Sequence, residues 1–290
     1  MDAAAKKQRL EIQAIKENWP VVLGLLVIFI PTLLSLANGP WRQSEYAHGP
    51  IVLLTALWLF WQLRDAVINS ESLPENRLGI TLLIFGCLLY ALGRSQTILF
   101  IEVGSAIPII LGAVVLTKGV NAAKRLWFPI FFLLFLVPLP GFLIDVLTGP
   151  LKNQVSAIVS ELLYLLGYPI ARNGVVLTIG HYQLLIADAC SGLNSMYTLT
   201  ALGLLFVYLK RKTTTARHIT LMVLAILPIA FFTNVARVIA LSLLTYYFGD
   251  EAGLSFSHDV AAVTEFFIAL LLLVTLDSTL AHLAGKRADS

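Results

Sequence analysis

Long apolar runs separated by short polar connections repeat along the whole chain, and their length sets the fold class. The hydrocarbon core of a bilayer is about 30 Å thick and needs roughly 20 apolar residues per helix. Eight runs meet or approach that length, at approximately 20–38, 50–64, 79–93, 98–117, 126–147, 191–209, 217–245 and 260–283. The pattern therefore predicts an all-α polytopic membrane protein with about eight transmembrane helices.

The connection between the fifth and sixth runs departs from this pattern twice. The stretch 153–170 mixes apolar residues with Asn, Gln, Ser and Glu, which is typical of an amphipathic helix that lies in the interface or re-enters it. Residues 175–186 hold two short apolar stretches around a Gly-His break, which predicts a small hairpin, with a surface loop as the alternative. The second strand of that hairpin would deliver Asp188 and Cys190 to the start of the sixth run.

Basic residues indicate the orientation, because Lys and Arg are retained on the cytoplasmic side of inserted helices. Alternate connections hold fifteen of the 20 Lys and Arg residues, the opposite connections hold four, and Arg237 lies inside the seventh run. We therefore expect a cytoplasmic N-terminal segment (1–19), one transmembrane domain (20–283) and a cytoplasmic tail (284–290), with the hairpin outside. We also expect the leader to be retained, so that the first span acts as a signal anchor.

Composition agrees with this fold and excludes several classes. Hydrophobic residues make up 58% of the chain and charged residues 13%, with a mean hydropathy of +0.84, which is too apolar for a water-soluble fold of this size. A net charge of +3 is too small to indicate a nucleic-acid partner. The chain has two cysteines, and Cys87 lies in an apolar run where a thiol packs as a small hydrophobe. His and Cys spacing indicates no metal site, and no phosphate-binding or dinucleotide motif is present, so we expect no cofactor.

Three chemically reactive side chains share one side of the membrane in this topology. Cys190 opens the sixth run at its outer end, Arg237 lies about eight residues before the outer end of the seventh, and His258 precedes the eighth. A thiolate beside cationic groups is a strong nucleophile, a guanidinium suits a developing oxyanion, and an imidazole can protonate a leaving amine. Ionisable groups at membrane depth are costly, so their convergence indicates function, here acyl transfer.

Polar neighbours support a pocket at this level. Asn234 shares a helix face with Arg237, and Glu265 lies at a comparable depth, which makes it a candidate counter-ion for the guanidinium. A polar stripe follows Cys190 on the sixth helix and consists of Ser191, Asn194, Ser195 and Thr198. Such a stripe can equally mediate helix packing.

Each reactive residue also has a purely structural interpretation. A Cys at a helix start usually packs, and a His near the interface is usually a hydrogen-bonded boundary residue. Only for Arg237 does depth by itself favour function. His48 and His181 also lie outside, and either could take the place of His258 on physical grounds.

Three segments, ADACSGLNS, TNVARVIAL and FSHDVAAV, resemble in that order the signature segments of the exosortase/archaeosortase family of polytopic membrane proteases, and an early YAHGP segment is similar too. The match runs from about Trp41 to the last span, and the absence of a fused soluble domain suggests the exosortase B branch. By motif, Cys190 would be the nucleophile, Arg237 the family's invariant arginine and His258 the third catalytic position. His48, Asp188, Asn194, Asn234 and Glu265 would support them.

The resemblance implies a cysteine endopeptidase or transpeptidase that cleaves secreted proteins at a C-terminal sorting signal of the PEP-CTERM type. It also implies the bacterial inner membrane, a site that faces the periplasm and a link to exopolysaccharide-associated export. Substrate proteins and membrane lipid are the expected partners, together with an acyl acceptor of unknown identity.

Two other classes remain open from the residues alone. In a transporter or flippase, Arg237 and Glu265 would line the path of an anionic substrate. A non-catalytic subunit of a polysaccharide export system would need no nucleophile. Cys190→Ser would leave both activities largely intact but abolish a thiol-dependent cleavage.

Overall fold

The computed structural model describes residues 2–43, 46–68, 70, 76–185, 192–211, 214–249 and 264–282; for residues 2–18, 145, 147, 185 and 192–195 the backbone alone is described. The described chain is almost entirely helical, which confirms the predicted all-α polytopic class. It forms two compact units, Met1–Pro140 and Gly141–Ser290.

Helices long and apolar enough to cross a membrane account for most of the predicted spans. Within the described ranges there are six, namely Trp19–Arg42, Gly49–Ile68, Asn76–Ser95, Leu99–Arg125, Ala216–Phe248 and Thr264–His282. Two shorter apolar helices, Trp127–Leu136 and Met196–Lys210, lie where the fifth and sixth spans were predicted. The predicted number of about eight therefore corresponds to six helices of spanning length and two shorter ones.

The first unit is a set of consecutive helices joined by short connections. Its elements are α1 (Asp2–Asn38), a 3-10 turn (Pro40–Arg42), α2 (Gly49–Ile68), α3 (Asn76–Ser95), α4 (Leu99–Gly104), α5 (Ala106–Arg125), α6 (Trp127–Phe132) and a second 3-10 turn (Leu133–Leu136). Inside α5, Gly119 has a φ of +78° and interrupts the helix, a conformation that favours glycine.

Glycines at seven-residue intervals bring α3 against α4 and α5. A Cβ built on Gly93 would lie 2.4 Å from the backbone nitrogen of Glu102, and one built on Gly86 would lie 2.6 Å from Cγ1 of Ile109. Small residues let helix backbones approach closely in a membrane, where packing rather than hydrophobic burial drives association.

The prediction of one continuous span over 126–147 is wrong. The helical segment ends at Leu136, and four non-helical residues, Val137–Pro140, precede the next helix. Pro138 and Pro140 explain the break, because proline lacks a backbone N–H and disfavours helical geometry in the residue before it.

The second unit begins with α7 (Gly141–Leu165), which absorbs most of the segment predicted as a separate interfacial helix from residue 153. The helix therefore starts about twelve residues earlier than predicted, directly after the proline break. It is not among the described helices that qualify as membrane spans. Its place in the interface stays a prediction.

A small antiparallel sheet follows α7. In the described part of the chain it has the strand order β1 (Ile170–Asn173), β2 (Val176–Ile179) and β3 (Tyr182–Leu185). The β2–β3 pair confirms the predicted hairpin, and β1 is an additional strand. Each two-residue turn begins with a glycine of positive φ, Gly174 at +60° and Gly180 at +58°, which suits the twist of a tight hairpin.

The described part of the second unit holds three further helices: α8 (Gly192–Lys210), α9 (Ala216–Phe248) and α10 (Thr264–His282). One face of α9 packs with the sheet and α7, where Val235 and Val238 join Leu177, Ile179 and other residues in one apolar cluster. This leaves a second buried face of α9 for α8 and α10.

Candidate functional site

The second buried face of α9 changes from apolar to polar along its length. Met222, Ile226 and Ala230 follow one another at four-residue spacing, and Asn234 and Arg237 continue the same face toward the C-terminal end. The apolar part packs with Leu199 of α8 and Ala269 and Leu273 of α10, in clusters that share these three helices. Packing of the apolar part thus fixes which helices the polar part meets.

Arg237 forms a buried ion pair with α10. Its Nη1 donates a hydrogen bond of 3.0 Å to Oε2 of Glu265, and the side chains are only 5% and 1% exposed. Charge-assisted bonds of this kind are the strong ones, and a buried charge requires such a partner. The predicted counter-ion for Arg237 is therefore confirmed.

Arg237 lies deeper in its helix than expected. α9 continues to Phe248, so Arg237 precedes its C-terminal end by eleven residues instead of the predicted eight. At 1.5 Å per residue this is a distance of about 16 Å along the helix. Asn234, one turn earlier, is 1% exposed and shares the buried surroundings of the guanidinium.

The other predicted site residues are only partly covered by the structure. Cys190, His258 and Asp188 lie outside the described residues. Asn194 occupies the first turn of α8, where the backbone alone is described. The meeting of Cys190, Arg237 and His258 in one cavity stays a prediction.

His48 belongs to the first unit, directly before α2. Burial lowers the pKa of His48, while a hydrogen bond with the backbone of Phe135 opposes that shift. Its neighbour Tyr46 donates a hydrogen bond of 2.9 Å to the carbonyl oxygen of Leu139. These contacts attach the YAHGP segment to the region around the proline break. The supporting role of His48 at the site stays a prediction. The other alternative, His181, is exposed in the turn between β2 and β3.

A second ionic cluster, which was not predicted from the sequence, joins the same three helices at the opposite end of α9. His218 lies 2.8 Å from Asp277 through Nε2 and Oδ1, and Lys210 Nζ donates to Oδ2 of the same carboxylate at 3.0 Å. Asp277 falls on the α10 stripe that begins with Glu265, twelve residues earlier. An acidic residue inside an apolar run was the signal that could have found it.

A third buried carboxylate, also missed, lies in the first unit. Glu102 of α4 accepts hydrogen bonds from Arg94 Nη1 at 3.0 Å and from Thr32 Oγ1 at 2.7 Å. The cluster connects α1, α3 and α4. Within the described ranges, no group of three or more His, Cys, Asp and Glu side chains could hold a metal ion.

Comparison with protein families adds one match. The family described as Transmembrane exosortase (Exosortase_EpsH) matches residues 41–275, which is 235 of the 290 residues. This range contains the Arg237–Glu265 pair and all three motif segments. No curated protein and no solved structure gives a significant match.

Proposed function

Because the chain belongs to the transmembrane exosortase family of membrane-embedded sorting transpeptidases, we propose that it cleaves the C-terminal PEP-CTERM-type sorting signal of secreted proteins through a cysteine nucleophile. The observation that carries the proposal is the buried Arg237–Glu265 pair, whose arginine lies in the segment that resembles the family's arginine motif. We further propose that the protein belongs to the exosortase B branch and acts in exopolysaccharide-associated export.

The reaction assigns one step to each predicted residue. The thiolate of Cys190 attacks the carbonyl carbon of the scissile peptide bond, and Arg237 stabilises the oxyanion of the tetrahedral intermediate. The intermediate collapses with loss of the C–N bond, and His258 protonates the departing amine of the C-terminal segment. The remaining thioester reacts with water, or with an acceptor amine or hydroxyl, and regenerates the thiol.

Arg237 suits the second step for two physical reasons. A guanidinium keeps its proton in buried surroundings, so it offers a permanent positive charge to a developing oxyanion. Electrostatic stabilisation is also strongest where water is excluded, and only 7% of Arg237 is exposed. Asn234 on the same face, with Asn194 and Asp188, would complete the polar surroundings.

The proposed location is the bacterial inner membrane, with both termini in the cytoplasm and the site facing the periplasm. The lopsided distribution of Lys and Arg between alternate connections supports this orientation. The substrate would enter from the lipid phase, because its own C-terminal signal includes a membrane span.

Co-expression with an epitope-tagged PEP-CTERM substrate tests the proposal. The wild type should yield a shortened product, and Cys190→Ala should yield none. Cys87→Ala is the matched control, because it removes the other cysteine of the chain, which is exposed on α3. Full cleavage by Cys190→Ala would contradict the proposed mechanism.

A transporter or flippase is the second candidate, favoured by an ion pair buried within apolar helices. The two functions respond differently to Cys190→Ser. Transport would continue, whereas a peptidase that depends on the thiolate would lose its activity.

A further inference from the structure

We propose that Glu265 is a positioning residue, whose carboxylate holds the Arg237 guanidinium at the place where the oxyanion develops. The inference rests on the proposed function and adds a residue that no motif segment contains. Glu265 would not touch the substrate; it would act through Arg237.

The geometry of the pair is the first argument. An arginine side chain has several rotatable bonds, and the guanidinium of Arg237 is held at its far end by the 3.0 Å bond from Nη1 to Oε2 of Glu265. An oxyanion donor is effective only when it is preorganised, because reorientation during the reaction would consume the stabilisation. A carboxylate that fixes the guanidinium supplies that preorganisation.

Burial is the second argument. Both side chains are nearly inaccessible, at 5% and 1% exposure, so water competes poorly for either charge. Removal of the Glu265 carboxylate takes a charge-assisted partner from the buried guanidinium, which can then turn toward another acceptor. The position of Arg237 therefore depends on Glu265 more than it would at a surface.

The anchoring of α10 is the third argument. Glu265, Ala269, Leu273 and Asp277 form one stripe on this helix, and every member is buried. Ala269 packs in one cluster with Ala230 of α9, and Leu273 packs in another with Met222 and Ile226 of α9. These apolar contacts, which do not involve Asp277, fix the register of α10 against α9, so the Glu265 carboxylate has a defined place.

Asp277 is a matched control for the inference. It is a buried carboxylate of the same helix, it is paired with a basic side chain of α9, and it lies about 18 Å along the axis from Glu265. If Glu265 only stabilised the contact between α9 and α10, loss of either carboxylate charge should lower the unfolding temperature and leave kcat per folded molecule unchanged.

The experiment compares four purified, lipid-reconstituted proteins: wild type, Glu265→Gln, Glu265→Asp and Asp277→Asn. For each, it measures the rate of cleavage of the tagged substrate and the temperature of thermal unfolding. We expect Glu265→Gln to lower kcat per folded molecule by about 100-fold with a small change in KM, since a misplacement of about 1 Å can have that effect. Glu265→Asp keeps the charge and should recover part of kcat. Asp277→Asn should unfold at a lower temperature and keep kcat within about twofold, because it lies far from the reaction.

The exchanged pair Arg237→Glu/Glu265→Arg separates positioning from stability. It retains an ion pair between α9 and α10, so its unfolding temperature should lie closer to the wild-type value than that of Glu265→Gln does. Its kcat should stay at the level of Arg237→Ala. Recovery of both would overturn the inference, as would a wild-type kcat in Glu265→Gln. If Glu265→Gln fails to fold, the comparison of Glu265→Asp with Asp277→Asn tests the positioning role instead. Equal kcat per folded molecule in these two variants would overturn the inference.

Failure of the inference and failure of the proposed function give different results in this assay. Cleavage that persists in Cys190→Ala overturns the proposed function, whatever Glu265 does. Cleavage that requires Cys190 but proceeds at the wild-type kcat in Glu265→Gln overturns the positioning role alone.

Discussion

Substitution of Gly93 by alanine should loosen the contact between α3 and α4. A Cβ at this position would lie 2.4 Å from the backbone nitrogen of Glu102, 2.8 Å from its Cα and 3.0 Å from the carbonyl carbon of Ile101. The obstacles are backbone atoms, so no rotamer change can relieve the overlap. The two helices must separate, and the Glu102 carboxylate moves with α4 away from Arg94.

The expected loss follows from two opposing effects. The closest contact is 1.0 Å inside the shortest ordinary van der Waals distance of 3.4 Å, so overpacking should reach the upper end of its usual range, about 3 kcal/mol. Alanine is a better helix former than glycine by about 1 kcal/mol, which offsets part of the loss. The net destabilisation should be about 2 kcal/mol, or roughly 4–8 °C in the unfolding midpoint.

Thermal unfolding in detergent micelles, monitored by size-exclusion chromatography after heating, measures this difference in unfolding midpoint. Gly24→Ala is the matched control, because Gly24 is also helical and a Cβ there meets no atom within 4 Å. The control should unfold at or above the wild-type temperature. If Gly93→Ala were as stable as Gly24→Ala, the close approach of α3 and α4 would be refuted.

Two further predictions concern Asp277 and His48. Asp277→Asn should destabilise the second unit by about 3 kcal/mol, since it leaves the buried His218 and the half-exposed Lys210 without their carboxylate; an unchanged unfolding midpoint would contradict this. Burial lowers the pKa of His48, so the unfolded chain binds more protons than the folded one once the pH falls below about 6.5. The free energy of unfolding is therefore unaffected by protonation of His48 above that pH and decreases as the pH falls below it. His48→Gln should remove part of the decrease in unfolding midpoint between pH 7.5 and 5.5.

The Arg237–Glu265 pair could be predicted from sequence because membrane topology restricts depth. Once the basic residues had set the orientation, Arg237 and Glu265 fell at comparable levels on neighbouring spans. A buried guanidinium needs a counter-ion, and few candidates existed at that level. Physical necessity, rather than a motif, identified the partner.

The break before α7 could not be predicted from hydropathy, because Val137–Pro140 contains no charged or strongly polar residue that would end an apolar run. Hydropathy reports the preference for lipid and says little about backbone continuity. The two prolines, Pro138 and Pro140, were the available signal, and they outweigh the apolar pattern by removing backbone donors.

Asp277 and Glu102 are acidic residues inside apolar runs, and the sequence does not show which basic side chains they pair with. Their partners, His218 and Arg94, lie near helix ends, where a basic side chain can also simply reach the membrane interface. Sequence alone cannot distinguish a basic residue of that kind from one that pairs with a buried acid, since the distinction depends on the packing of neighbouring helices.

The covalent state of Cys190 tests the central claim most directly. Wild-type protein mixed with substrate and quenched in acid should carry the processed substrate on the peptide that contains Cys190, as a thioester released by neutral hydroxylamine. Cys87→Ala should carry the same adduct, and Cys190→Ala should carry none and leave the substrate intact. Processed substrate in the absence of Cys190, or an adduct on any other residue, would contradict the account.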